Sequence, residues 1–461
     1  MPIPVRMLLI GLFVACAATA QAAPKKKPAS RTAILDEIWN ELRTHDPFFD
    51  PDDPDLIELR REFARRLEAC DDPGERLREL VRLLCHLGDG HTALHTRWFL
   101  PDKPPPPLPM AGDDPLYRPQ ISAAWFHRDL YLRLEFPEQR DEAGRALVED
   151  CRVVTIDGAP FARGAAWDLL NGRQNTTVAI EVERPDGSRV KREMRRTQAV
   201  VPRKHWAPTT QRVVRPKTRT QPAETKTVEI VVRWQRLEGN LGYIHLGHLV
   251  TQQAVEDFHK ALDELMDTDG LVLDLRNNHG GYPWIMMPIA GRFFSKYQKV
   301  ASFDGRSPLI GPLVRAVGQV GIAPCGETYT KPMVVLIADG TASMGEGLAF
   351  SLGDTGRAVL IGRPTMGLNA AIRNVRLSNG LVLWHSWIRT NRLNGAHYQN
   401  IGVEPHERVE LSREEVARLG IFKAAEAEGR LQFDHAARRL RELVEQEATQ
   451  GKSKIESRKS K

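Results

Sequence analysis

Apolar positions change their spacing along the 461 residues, and each change marks a different kind of segment. Ile34, Leu35, Ile38, Trp39 and Leu42 recur at helical intervals, as do Leu56, Leu59, Phe63 and Leu67, then Leu77, Leu80, Val81 and Leu84. Such spacing lines one face of a helix, so residues 30–100 are predicted as a helical segment. Its last part, LGDGHTALH (87–95), brackets Asp89 with two glycines and sets His91 just past a turn. A Pro-rich stretch, 101–109, reads as a stiff connector.

Between 116 and 197 the runs become short and alternating: Leu130 to Leu134, Val153 to Ile156 before Asp157-Gly158, and Val178, Ile180 and Val182 before Pro185-Asp186-Gly187. This predicts a β-rich module. Its order of strand, Ile-Asp-Gly-x-Pro, helix, strand, Arg-Pro-Asp-Gly, strand resembles a PDZ-like domain, which would hold an extended peptide on a sheet edge. Residues 198–226, rich in Thr, Pro, Arg and Lys, read as a linker or a surface excursion. Over 227–412 strands and helices alternate: strands at 241–246, 271–275, 333–337 and 358–361, helices at 254–266 and 347–352. Near-continuous apolar strands in such an alternation argue a mostly parallel, buried sheet. From 413 to 461 the chain is predicted helical, with Leu431, Phe433, Leu440, Leu443 and Val444 as a stripe before a basic tail. The class is therefore α/β with several segments.

Composition adds a compartment. Arg6, the apolar run Met7 to Ala18 and then Ala20-Gln21-Ala22 form a secretory signal over residues 1–22, too short to span a bilayer, which implies a periplasmic or secreted protein with no integral membrane segment. Cys16 offers a lipoprotein reading, disfavoured by Phe13 three positions earlier. The other cysteines, Cys70, Cys85, Cys151 and Cys325, form no C-x-x-C and so no metal or redox signature, with Cys70–Cys85 the best candidate disulfide. The net charge of +6 gathers visibly in terminal runs rather than on an aromatic-laced face, which argues against a nucleic-acid partner.

Chemistry concentrates in two places. In KPMVVLIADGTASMGEGLAF (331–350) an apolar strand runs through small residues into a helix, with Ser343 at the junction. Two readings fit: an exposed nucleophile beside the free amides of a helix start, or a cap whose box Glu346 completes. GLVLDLRNNHGG (270–281) is a second buried strand ending in paired glycines. Parallel strands bring both ends to one sheet edge, where Gly280, Gly281 and the Met344 amide could form an oxyanion hole.

LVLDLRNNHGG, VVLIADGTASMGE, GRAVLIGRPTMG and YQNIGVEP, in this order, resemble the carboxy-terminal processing (tail-specific) peptidases, a family that includes the tricorn core. The resemblance implies a crotonase-like/ClpP-like core, no metal or organic cofactor, a peptide or protein substrate, and Ser343 as nucleophile of a serine endopeptidase. One branch takes a lysine as base after G-x-x-T-x-G; here that position is Leu368. The tricorn-like branch takes a histidine from the amino-terminal helices, which carries over to His91, and a glutamate before the last G-V-x-P, where this chain has Gln399. A glutamine carbonyl can accept the His91 Nδ1 proton but brings no charge. Against the peptidase therefore stands a second expectation, a weakly active or inactive peptide-binding scaffold.

Overall fold

The computed structural model describes residues 30–95, 117–161, 168–200, 209–215, 224–306, 315–368 and 370–459. The expected signal segment 1–22 and the expected connector 101–109 lie outside them, as do residues 162–167 of the stretch where the β-rich module was expected to turn helical.

Three helices open the described chain: α1 (Ala33–His45), α2 (Pro54–Ala69) and α3 (Pro73–His86). The last two start alike, with a proline in the first turn and an aspartate cap: Asp53 accepts from Asp55 N at 2.9 Å and Asp72 from Glu75 N at 2.7 Å. Next come β1 (Ala93–His95) and an antiparallel sheet in chain order, β2 (Ser122–Phe126), β3 (Asp129–Arg140), β4 (Ala146–Ile156), β5 (Thr177–Glu183) and β6 (Arg189–Arg195). Leu130, Leu132, Leu134 and Phe136 alternate inward along β3 and meet Leu35, Ile38, Phe63 and Leu84 of the helices, so helices and sheet share one core.

The carboxy-terminal half is built on a six-stranded sheet in the order β7 (Val232–Leu237), β8 (Leu241–Leu246), β9 (Gly270–Asp274), β12 (Met333–Ile337), β13 (Val359–Gly362), β16 (Glu407–Arg408). Every pairing after β7–β8 is parallel, and β9 and β12 are buried along their whole length, which is why they read as unbroken apolar runs. Helices α4 (Gln252–Asp263), α5 (Pro283–Ala290) and α6 (Met344–Asp354) cover one face. The long terminal helix Ile421–Lys459 covers the other through Ala436 and Leu440, with Phe433, Leu443 and Val444 beside them, while Leu431 of the predicted stripe is exposed.

A second sheet, absent from the sequence reading, joins β10 (Gln298–Arg306), β11 (Arg315–Ile322), β14 (Ala370–Arg376) and β15 (Val382–Asn391), and takes β1 as an antiparallel edge on β15, with Ala93 opposite Trp384. Two further expectations meet their outcome here. Part of the supposed linker forms an antiparallel ribbon, Thr209–Arg215 with Glu224–Glu229. Cys70, Cys85, Cys151 and Cys325, the four described cysteines, are all free, so the expected Cys70–Cys85 pair is not formed.

Charged groups pin α1 to the second sheet. Glu41 contacts Arg373 at 2.7 Å and the fully buried His385 Nε2 at 3.2 Å, while Asp46 lies 3.8 Å from His385 Nδ1. Burial opposes the His385 charge, but Asp46 and Glu41 outweigh it and raise its pKa from 6.5 to about 9. A folded-state pKa above the unfolded one gives stability that is complete below pH 6.5 and lost as pH rises through about 9. In paired urea titrations, the wild-type advantage over His385→Gln is therefore expected to shrink across that window. The same advantage at pH 6 and pH 9.5 would rule the ion cluster out as its source.

Candidate active site

Ser343 sits where β12 ends and α6 begins, with φ 52° and ψ −122°, a conformation an L-residue adopts only when its surroundings enforce it. The enforcement is visible. Thr341, fully buried, donates its hydroxyl to Leu275 O at the end of β9 (2.8 Å), and Ala342 N bonds Asn278 O at 2.9 Å. Ser343 N–H donates to Glu346 Oε2 at 2.8 Å, the expected contact of a capping box. Glu346 reaches further, however: its carboxylate also accepts from Thr365 Oγ1, Gly367 N (2.7 Å) and Leu368 N (2.8 Å). Burial pushes this carboxyl above its ordinary pKa, while those four hydrogen bonds hold it down.

Around the glycine loop, contacts are equally tight. A Cβ on Gly280 would lie 2.7 Å from Ala342 O and 2.8 Å from Met344 N, and φ is +87°, so only glycine lets this loop rest on the Ser343 turn. Gly281 has φ +146°, and a Cβ there would fall 2.1 Å from Leu249 O. Gly280 is also corrected as a donor. Its N–H goes to Asn278 Oδ1 at 2.9 Å, so its part is close approach, and of the three expected donors the Gly281 and Met344 amides are left. Asn278, fully buried, ties both pieces together and donates its Nδ2 to Leu246 O at 3.0 Å.

The His91 turn is built on Asp89. Asp89 Oδ1 accepts from His91 N (3.0 Å) and Gln399 Nε2 (2.8 Å), and Oδ2 from Thr92 Oγ1 (2.8 Å) and Ser386 Oγ (2.7 Å). His91 is 6% exposed, and its Nδ1 has no hydrogen-bond partner among the described residues. Burial lowers the His91 pKa, and Asp89 opposes that shift. The expectation that Gln399 accepts from His91 Nδ1 is thus not met: its amide donates to Asp89 instead.

Gln399 links the two halves. Its loop rests on the strand of residues that Glu346 holds, with Asn400 N on Gly367 O at 2.8 Å and Val403 N on Thr365 Oγ1 at 2.6 Å. From Ser343 the bonded path therefore runs through Glu346, Gly367, the 398–403 loop and Asp89 to the His91 turn. Arg128, at the tip of the β2–β3 hairpin, adds a brace by donating to Thr365 O and Ile401 O. No periodicity or motif signalled Arg128, whose partners lie over 200 positions away. Leu368, where a lysine base would stand, contributes its amide to Glu346. Among the described residues no group of three or more His, Cys, Asp or Glu side chains could hold a metal ion.

The Asp89–Gln399 contact yields a prediction. A carboxylate in place of the Gln399 amide would meet Asp89 Oδ1 without a proton between them, so a glutamate at this position is expected to harm the protein. Gln399→Glu should cost about 2–3 kcal/mol at pH 7 in urea unfolding. Because repulsion raises the introduced group's pKa in the folded state, the deficit should close as pH falls towards about 4. Equal stability at pH 7 would mean that Gln399 is not held by Asp89.

Residues 240–409 match the profile of peptidase family S41. The chain is 30% identical over 174 residues to the carboxyl-terminal-processing protease of Synechocystis, covering 37% of this chain and 38% of that one. It is 27% identical over 222 residues to the chloroplastic carboxyl-terminal-processing peptidase 3 of Arabidopsis thaliana, covering 48% and 38%. It thus spans about two fifths of the length of these relatives. Among solved structures, mature CPAF complexed with lactacystin superposes with a TM-score of 0.54 at 12% identity, over 90% of this chain and 97% of that one, a likeness of fold. The family resemblance read from four motifs is met.

Proposed function

We propose that this chain, which carries a peptidase family S41 segment over residues 240–409, is an exported serine endopeptidase acting through Ser343 and His91. In this reading Ser343 Oγ attacks the scissile carbonyl while His91 takes its proton. The Met344 and Gly281 amides hold the oxyanion. His91 returns the proton to the leaving amine, and water then cleaves the acyl-enzyme by the same steps. Asp89 and Gln399 are positioning residues: Asp89 sets the His91 turn and brings the negative charge that Gln399 lacks.

The observation that carries the reading is the strained Ser343 at a helix start with the Gly280 backbone packed against it, an arrangement that a plain cap does not require. Export rests on residues 1–22, and peptide capture on the sheet edge of the PDZ-like module at 116–197. The scaffold alternative draws on His91 Nδ1, which among the described residues finds no acceptor of the kind a catalytic histidine uses to fix its tautomer.

Labelling with a fluorophosphonate probe separates the two. Wild type should label and His91→Ala should not, since an unassisted serine hydroxyl is a weak nucleophile. A folded wild-type protein that stays unlabelled would favour the scaffold.

A further inference from the structure

Immediately beyond the glycine loop lie Tyr282 and Trp284, whose rings stack at 4.4 Å with 12° between planes. Trp284 is the second residue of α5, and that helix already buries Ile285, Met286, Ile289 and Ala290 against the core. Trp284 lies outside this buried face and is 55% exposed, the opposite of what a core role asks of the largest apolar side chain. Backbone bonds fix its approach: Tyr282 N donates to Leu249 O at 2.7 Å, and Leu249 N to Gly280 O at 2.8 Å.

Position gives the pair a use. Gly280 packs directly on the Ser343 turn, and four residues of chain place Trp284 within about 14 Å of Gly280. That is the distance over which the residues flanking a scissile bond extend. No Asp, Glu, Lys or Arg occurs from Asn277 to Gly291, so this stretch of chain brings no formal acidic or basic charge of its own to the pair. Half-buried Met344, next to the nucleophile, and Met287 add apolar surface packed against the same core. A stacked tryptophan is also held in place before any ligand arrives, which lowers the entropic cost of packing on it.

We propose that Tyr282 and Trp284 form a substrate subsite that selects peptides with an aromatic or large aliphatic residue beside the scissile bond. This rests on the peptidase reading for the identity of its ligand. Binding tests it without turnover. In a Ser343→Ala background, two fluorescein-labelled peptides that differ only in Phe-Phe or Ala-Ala at the centre are titrated by anisotropy. The Phe peptide should bind about tenfold more tightly, some 1.4 kcal/mol. Trp284→Ala should erase that preference, and Trp284→Phe should restore part of it. Peptides that bind equally or not at all, or a preference that survives Trp284→Ala, would overturn the proposal. Self-association abolished by Trp284→Ala, with the two peptides binding alike, would overturn it in favour of a second copy of the chain. An unlabelled wild type in the fluorophosphonate experiment sinks the peptidase reading separately.

Discussion

Ser343→Ala is expected to lower peptide hydrolysis by about 10⁶-fold and to leave the fold in place. The turn is fixed by Thr341 on Leu275 O, Ala342 on Asn278 O and the Ser343 amide on Glu346, bonds that a methyl in place of the hydroxyl preserves. Alanine also takes on the same backbone conformation with little added strain, so the melting curve should move by less than about 1 kcal/mol. What disappears is the bond-forming atom. The remaining amides of Met344 and Gly281 still bind a carbonyl oxygen, and residual turnover above the uncatalysed rate should come from them. Hydrolysis retained at a hundredth of wild type or more, measured on protein free of contaminating peptidase, would place the nucleophile elsewhere.

The parts legible in the sequence are those whose signal is local. β9 and β12 announced themselves because both faces of each are buried, so their positions are apolar except for Asp274 at the end of β9. Ser343 stood out because a strand, three small residues and a helix meet there within one stretch of chain. The second sheet gave no such signal. β14 reads intermediate, buried and exposed without a clean alternation, and β1 finds its partner almost 300 positions later. The same distance hid the pairing of Asp89 with Gln399: a motif places each residue near the site, yet neither carries in its neighbours any trace of which atom it will face. The Gly280 amide was misjudged for a related reason. Paired glycines signal close approach, and whether an amide is free depends on Asn278, whose side chain turns back on its own loop.

The second large effect is expected from Asp89→Asn, because this substitution removes a charge and little else. Two of the four donors on Asp89, the His91 amide and Gln399 Nε2, share Oδ1 and cannot act as acceptors. The other two, Thr92 Oγ1 and Ser386 Oγ, share Oδ2 and are hydroxyls that can rotate and accept. An asparagine can therefore keep its oxygen on the first pair and turn its NH2 to the second, so the His91 turn survives. In the transition state, however, His91 carries a proton in a buried site where burial already disfavours the charge and Asp89 is what opposes it. A pair of unit charges about 4 Å apart is worth roughly 4 kcal/mol at an effective dielectric of 20 and less at longer range, so loss of this charge is expected to lower kcat by about 10²–10³-fold. A merely structural role would not move the pH profile, but loss of this charge must. The His91 pKa falls further, and the acid limb of kcat/KM, which rises as the base deprotonates, shifts to lower pH in Asp89→Asn. A folded variant with kcat within tenfold of wild type and an unmoved acid limb would remove Asp89 from the mechanism and return the question of the His91 partner to Gln399.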